Sequence, residues 1–175
     1  LDPAFERWRA QLRTFTGIKP ASPPETFQGQ LRPYQQDGLG WLRFLQDFHL
    51  GGCLADDMGL GKTVQVLALL ASRRDASRGA DSPLRPSIVA VPRSLVFNWL
   101  MEAERFTPTL RVLDYTGPNR EEALAQMDAA DVLVTTYGIL RRDIVILKAL
   151  PFDYAILDEA QAIKNADSQA AKASR

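Results

Sequence analysis

The sequence predicts an α/β domain, a mainly parallel sheet with helices on both faces, behind a helical N-terminal extension. Three observations lead there. From Cys53 onward short apolar runs alternate with segments of helical character, the pattern of βαβ units. The runs are of the kind that forms strands buried under helices on both sides, Ile88–Val91 being apolar throughout. The length of 175 residues, with 46% hydrophobic and 24% charged residues, is enough for one domain with a full core and little more.

Taken in order, Ala4–Phe15 places Phe5, Trp8, Leu12 and Phe15 at helical spacing. Pro20, Pro23 and Pro24 then predict an extended connector, because proline lacks an N–H and disfavours helix before it. A helix is predicted over Pro33–His49, with Pro33 at its first position and Gly51 and Gly52 ending it. Strands are expected at Cys53–Ala55, Ile88–Val91, Arg111–Asp114, Val132–Thr136 and Tyr154–Leu157, and helices at Lys62–Ser72, Ser94–Arg105, Asn119–Met127 and Tyr137–Leu150. Arg73–Pro86, rich in Arg, Ser, Asp and Pro, is expected to be a surface loop. The domain division is then 1–27 for helix and connector and 28–175 for the α/β lobe.

Bulk properties exclude more than they assign. Lysine plus arginine and aspartate plus glutamate both number 21, so net charge gives no argument for a nucleic-acid partner. No apolar run approaches the roughly 20 residues of a membrane helix. The single cysteine, Cys53, excludes an internal disulfide and a cysteine metal cluster, and its place in a strand suggests a small buried hydrophobe. The chain opens at Leu1 without a signal segment, and an earlier portion is expected.

Chemistry concentrates in two places. Asp56-Asp57-Met58-Gly59-Leu60-Gly61-Lys62-Thr63 follows a predicted strand and opens a predicted helix, the context of a phosphate-binding loop. Glycines let backbone N–H groups close around phosphate oxygens, and the helix N-terminus adds positive potential. Lys62 would reach the β- and γ-phosphates of ATP and the Thr63 hydroxyl would ligate Mg2+. The general pattern has glycine where Asp56 stands, and a Gly-rich turn joining strand to helix is the plainer alternative. The second place is Ala155-Ile156-Leu157-Asp158-Glu159, an apolar strand delivering two carboxylates at its C-terminal end, where open α/β sheets bind ligands. Asp158 would hold magnesium through water, and Glu159 would orient and deprotonate the attacking water. A solvated strand end would also explain the pair; together with the Lys62 loop it becomes a phosphoryl-transfer set.

The order of motifs resembles the Swi/Snf-type ATPases of helicase superfamily two. Leu31-Arg32-Pro33-Tyr34-Gln35-Gln36-Asp37-Gly38-Leu39-Gly40-Trp41-Leu42 is similar to their adenine-side motif. The phosphate loop is close to their Asp-Glu-Met-Gly-Leu-Gly-Lys-Thr, which makes Asp56 the family's residue. Val89-Ala90-Val91-Pro92 with Asn98-Trp99, Val134-Thr135-Thr136-Tyr137, and Asp158-Glu159-Ala160-Gln161 followed by Ala162-Ile163-Lys164-Asn165 continue the match, from about Gln30 to Asn165.

The resemblance implies the first RecA-like lobe of a motor that tracks along double-stranded DNA. It assigns Gln35 to the adenine edge, and Asp57, Met58, Gly59, Leu60, Gly61, Lys62 and Thr63 to the phosphates; Arg32 and Tyr34 either frame the base or, as is commoner for a tyrosine at a helix start, serve packing. Gln161 would sense the γ-phosphate; many relatives carry histidine there, which suggests a prokaryotic source and a nucleoid-associated cytoplasmic location, or a nuclear one in a eukaryote. Pro92, Arg93, Thr135 and Thr136 would touch the backbone of the tracked strand without reading sequence; two hydroxyls capping the next helix would explain the threonines equally. A second lobe would supply an arginine finger, worth about 10³–10⁵ in rate. Without it the chain is expected to bind nucleotide weakly and hydrolyse ATP poorly. The rival readings are a strand-separating helicase of the same superfamily and a nucleotide-gated binding module without turnover. Trp8, Trp41 and Trp99 fit packing, His49 a helix end or surface, and Arg141 with Arg142 an exposed helix face or a phosphate contact.

Overall fold

The computed structural model describes Glu6 and residues 17–57, 59–77, 85–118 and 120–163. Glu6 apart, the expected Ala4–Phe15 helix lies outside the described residues, as do Met58, residues 78–84 of the expected Arg73–Pro86 loop, and the Lys164-Asn165 tail. Among the described residues four strands form one sheet: β1 (Ser87–Val91), β2 (Val112–Asp114), β3 (Val132–Thr136) and β4 (Ala155–Leu157). All pairings are parallel, in the order β2-β3-β1-β4. The central strand β1 sets Val89 opposite Val134 on one side and Ile156 on the other. Every residue of β1 is buried, as a strand with a neighbour on each edge and helices on each face must be.

Alternation along the strands divides the core into two layers. Val89, Val91, Val132 and Val134 face helices α2 (Lys62–Ala76) and α3 (Val96–Phe106), packing with Leu67, Leu70, Trp99 and Ala103. Ile88, Ala90 and Leu133 face α4 (Arg120–Ala125), α5 (Tyr137–Arg142) and α6 (Ile144–Leu147), meeting Ala123, Tyr137, Leu140 and Leu147. Each fully buried Val or Leu contributes about 1.5–3 kcal/mol relative to exposure. Helix α1 (Pro33–Asp47) covers α2 through Leu39, Ala68 and Leu69, with Phe27 and Leu31 filling the same cluster.

Helix α1 begins as its sequence requires. Pro33 occupies the first position, and Gln35 Oε1 accepts the Arg32 N–H at 2.9 Å. Its end differs from expectation. His49, not a glycine, takes the left-handed conformation (φ 52°), His49 N–H bonds to Gln46 O at 3.0 Å, and Leu50 N–H to Leu45 O at 2.8 Å. Those two bonds satisfy the last carbonyls, so the helix stops before Gly51. The proline connector lies against α1. Ala21 N–H bonds to Gln36 O at 2.9 Å, and a Cβ at Gly40 would stand 2.0 Å from the Lys19 carbonyl oxygen.

Four further expectations are corrected. Cys53–Ala55 is not a strand, and Cys53 is exposed. Three residues following two glycines, with only Leu54 partly buried, pair with neither open edge of the sheet. Helix α2 runs on to Ala76, because Arg74 in its last turn reaches Asp131 at 3.2 Å and Arg73 pairs with Asp153. The helix expected from Ser94 starts instead with a 3₁₀ turn at Arg93–Leu95, and α3 follows from Val96. The single helix expected over Tyr137–Leu150 breaks at Asp143, whose carboxylate accepts bonds from Tyr115, Arg120 and Arg142. Although burial works the other way, those three donors hold the Asp143 carboxyl below its ordinary value.

Candidate functional site

Because β1, β3 and β4 run in the same direction, their C-terminal ends bring Pro92, Thr136 and Asp158 to one edge of the sheet. The N-terminus of α2 meets them there. Gly59, Gly61, Lys62 and Thr63 from the loop line one cavity of about 600 Å³ with Trp99, Glu102, Asp158, Glu159 and Gln161.

The loop gains its shape from glycines and from α1. Gly59 (φ 84°) and Gly61 (φ 72°) are left-handed, a conformation that costs any residue with a Cβ about 1–2 kcal/mol. A Cβ at Gly61 would also stand 2.5 Å from Gln35 Nε2. Gln35, only 8% exposed, donates through Nε2 to Leu60 O at 3.1 Å, and the Tyr34 hydroxyl donates to the same oxygen at 3.2 Å. In the structure Gln35 is thus a brace between α1 and the loop. Lys62 Nζ donates to Asp56 O at 2.8 Å and Asp57 O at 3.0 Å, folded over its own loop. Gly61 is the residue before the first turn of α2, whose leading N–H groups have no helical acceptor and suit an anion.

The opposite wall is more tightly built. Asp158 N–H bonds to Ala90 O at 2.9 Å, fixing the backbone as β4 ends. Its Oδ1 accepts the Glu159 N–H at 2.9 Å, and its Oδ2 accepts the Trp99 Nε1–H at 2.7 Å. The Tyr137 hydroxyl donates to the Asp158 carbonyl at 2.7 Å. Burial pushes that hydroxyl up to about 12, and the charges of Asp158 and Glu159 add to the effect. Glu159 turns into the left-handed region (φ 51°), and its Oε2 is touched by Gln161 Nε2. Glu102 adds a third carboxyl to the cavity; Oε2 is buried without a hydrogen-bond partner, and burial, then the Asp158 charge, raises its pKa.

A carboxylate and a hydroxyl, Asp158 and Thr63, share this cavity. Both are hard oxygen donors, and no cluster of three His, Cys, Asp or Glu suited to a metal occurs among the described residues. That donor set fits magnesium, which keeps water and phosphate oxygens and takes few protein ligands.

The residues expected to meet DNA divide. Arg93 is exposed beside half-buried Pro92. Thr136 is half-buried at the end of β3 and caps α5, its Oγ1 accepting the Ile139 N–H at 3.3 Å. Thr135 is 0% exposed and donates to Tyr115 O at 3.0 Å. It has no surface to offer a strand of DNA, because it lies inside β3, whose residues are buried under helices on both faces up to the strand end, where Thr136 is half-buried. Sequence reasoning took Trp99 as packing, named Tyr137 only as the last residue of a motif without a role, and passed over Glu102. Asn98-Trp99 and Val134-Thr135-Thr136-Tyr137 within motifs were the available signals for the first two; nothing local marked Glu102.

The SNF2-related domain profile matches residues 34–175. The chain belongs to the SNF2-related family. Within helicase superfamily two, this SNF2-related chain is 40% identical over 172 residues to TATA-binding protein-associated factor MOT1 of Saccharomyces cerevisiae, covering 93% of this chain and 9% of that protein. It is 39% identical over 153 residues to the putative ATP-dependent helicase/translocase YwqA of Bacillus subtilis, covering 86% of this chain and 16% of that protein. The chain therefore spans under a fifth of either relative's length. Among solved structures it resembles the Sulfolobus solfataricus SWI2/SNF2 ATPase core in complex with dsDNA, with TM-score 0.75 and 38% identity, over 91% of this chain and 31% of that one. The fold is RecA-like, as the motifs implied. A prokaryotic source is not borne out, since a yeast and a bacterial relative match at nearly equal identity.

Proposed function

We propose that this SNF2-related lobe binds Mg-ATP in the cavity between the α2 N-terminus and the end of β4, and contributes to its hydrolysis in a motor that tracks along double-stranded DNA and remodels protein–DNA complexes. The observation that carries the reading is the meeting of Lys62 and Thr63 with Asp158 and Glu159 in one cavity. Phosphoryl transfer needs both a phosphate cradle and a metal-holding carboxylate. Lys62 Nζ would exchange the Asp56 and Asp57 carbonyls for phosphate oxygens, a stronger, charge-assisted bond. Thr63 and Asp158 would hold magnesium, which, when bound, offsets charge developing on the phosphate oxygens. Glu159 would accept the proton of the attacking water at its carboxylate, where Gln161 now donates. Gln161 would give up that contact when a γ-phosphate arrives.

The Sulfolobus core was solved with dsDNA, and that supports duplex as the track. Exposed Arg93, with Pro92 and Thr136 beside it at the sheet edge, would supply backbone contacts, with Thr135 left out. A motor of this kind works wherever the cell keeps its DNA. Completion would require a second RecA-like lobe bearing the arginine finger, and the lobe alone would turn over slowly.

The test is steady-state phosphate release by the full-length protein with no DNA, with single strands and with duplex, beside Lys62→Ala. Stimulation by duplex that is lost in Lys62→Ala is the expected result. Hydrolysis indifferent to duplex would favour a strand-separating or partner-activated enzyme. No hydrolysis would leave a nucleotide-gated binding module.

A further inference from the structure

We propose that Trp99 is a positioning residue for the metal-binding carboxylate, holding the plane of Asp158 through its indole N–H. The inference rests on the nucleotide reading above and names a residue that reading does not use.

Trp99 lies on α3, a different element from either motif, and is 3% exposed with its ring packed among Leu67, Val89 and Val134. A ring locked in the core has one polar atom, and Nε1–H can only donate. It donates to Asp158 Oδ2 at 2.7 Å, across 59 residues of sequence. That bond is short for a neutral donor and is assisted by the carboxylate charge. The other oxygen, Oδ1, is fixed by the Glu159 N–H. With one donor on each oxygen, the carboxylate cannot turn about its Cβ–Cγ bond without losing both bonds. Each oxygen keeps a lone pair for a water on the metal. The outer partners of metal-binding groups act in this way, and losing one costs about 10–100-fold in metal affinity. The same bond would exist if it merely satisfied a buried indole, so the test must separate orientation from packing.

A fluorescent ADP analogue titrated into the full-length protein, with and without magnesium, makes that separation without reading turnover. For Trp99→Phe, which keeps an aromatic ring and removes the donor, the gain in affinity conferred by magnesium should fall about ten-fold. Affinity without magnesium should stay at the wild-type value. In an Asp158→Asn background, Trp99→Phe should cause no further loss, because the two residues act on one quantity. Should Trp99→Phe fold poorly, benzothienylalanine at position 99 replaces only the ring N–H by sulfur and gives the same reading. A wild-type response to magnesium in either variant, or equal loss with and without magnesium, would overturn the role given to Trp99. If the wild-type protein gains nothing from magnesium and Lys62→Ala changes nothing, the nucleotide reading itself falls, and this inference with it.

Discussion

Tyr137 completes the set of contacts around Asp158 by donating its hydroxyl to that residue's carbonyl at 2.7 Å. Its ionisation couples stability to alkaline pH. In the unfolded chain a tyrosine titrates near 10, whereas burial and the two neighbouring carboxylates push Tyr137 up to about 12. Between those values the folded protein keeps a proton that the unfolded chain has released. The stabilisation is therefore complete below pH 10 and is lost as pH rises toward 12. Tyr137→Phe should remove that part of the pH dependence and cost about 1 kcal/mol at neutral pH through the lost hydrogen bond. Urea denaturation of both proteins at pH 8, 10 and 12 would measure it. Parallel losses in the two proteins would count against this account.

At the scale of elements, α1 matters because it carries Gln35 and Tyr34 to the phosphate loop, and α1 is itself clasped by the connector. A methyl at Gly40 would collide with a backbone oxygen, at 2.0 Å, rather than with a movable side-chain tip. Gly40→Ala should therefore cost about 1–3 kcal/mol and weaken nucleotide binding indirectly; a melting temperature equal to wild type would rule out the clasp. Nothing in the pattern around Gly40 announced this, since the partner is Lys19 in an extended segment. Where burial is local to a run, the sequence was legible: Ile88–Val91 is apolar and lies in β1, inside the sheet. Where the cause is distant it was not. Asp143 breaks a helical pattern because Tyr115 and Arg120 converge on it, and Trp99 meets Asp158 across the sheet. Both chemical motifs were legible because phosphate and metal chemistry restrict residue type and spacing, whereas the walls joining them are set by packing. The Thr135–Thr136 pair shows a middle case: the run itself predicts a buried strand, and only where that strand ends decides that Thr135 is covered and Thr136 half-buried.

For the whole molecule, the cavity joins elements far apart in the chain, so a ligand there should stabilise the fold as a unit. Mg-ADP at a hundred times its dissociation constant adds about 2.7 kcal/mol, and a domain of this size converts that to a rise of about 5–10 °C in Tm. Lys62→Ala should abolish the rise, and an unchanged shift in that variant would place the ligand elsewhere. The strand order has one more consequence, in time rather than in space. Among the strands of the described residues β4 is made last but pairs with β1, made first. A ribosome adds about 5–20 residues each second, so the 59 residues separating Trp99 from Asp158 take about 3–12 s to appear. Through that interval the nascent chain holds its phosphate loop and the indole but not the carboxylate, and one edge of β1 has no partner. Assembly of the proposed magnesium site is thereby deferred until β4 joins β1, and a chain stalled before β4 is left with an open strand edge for chaperones to cover.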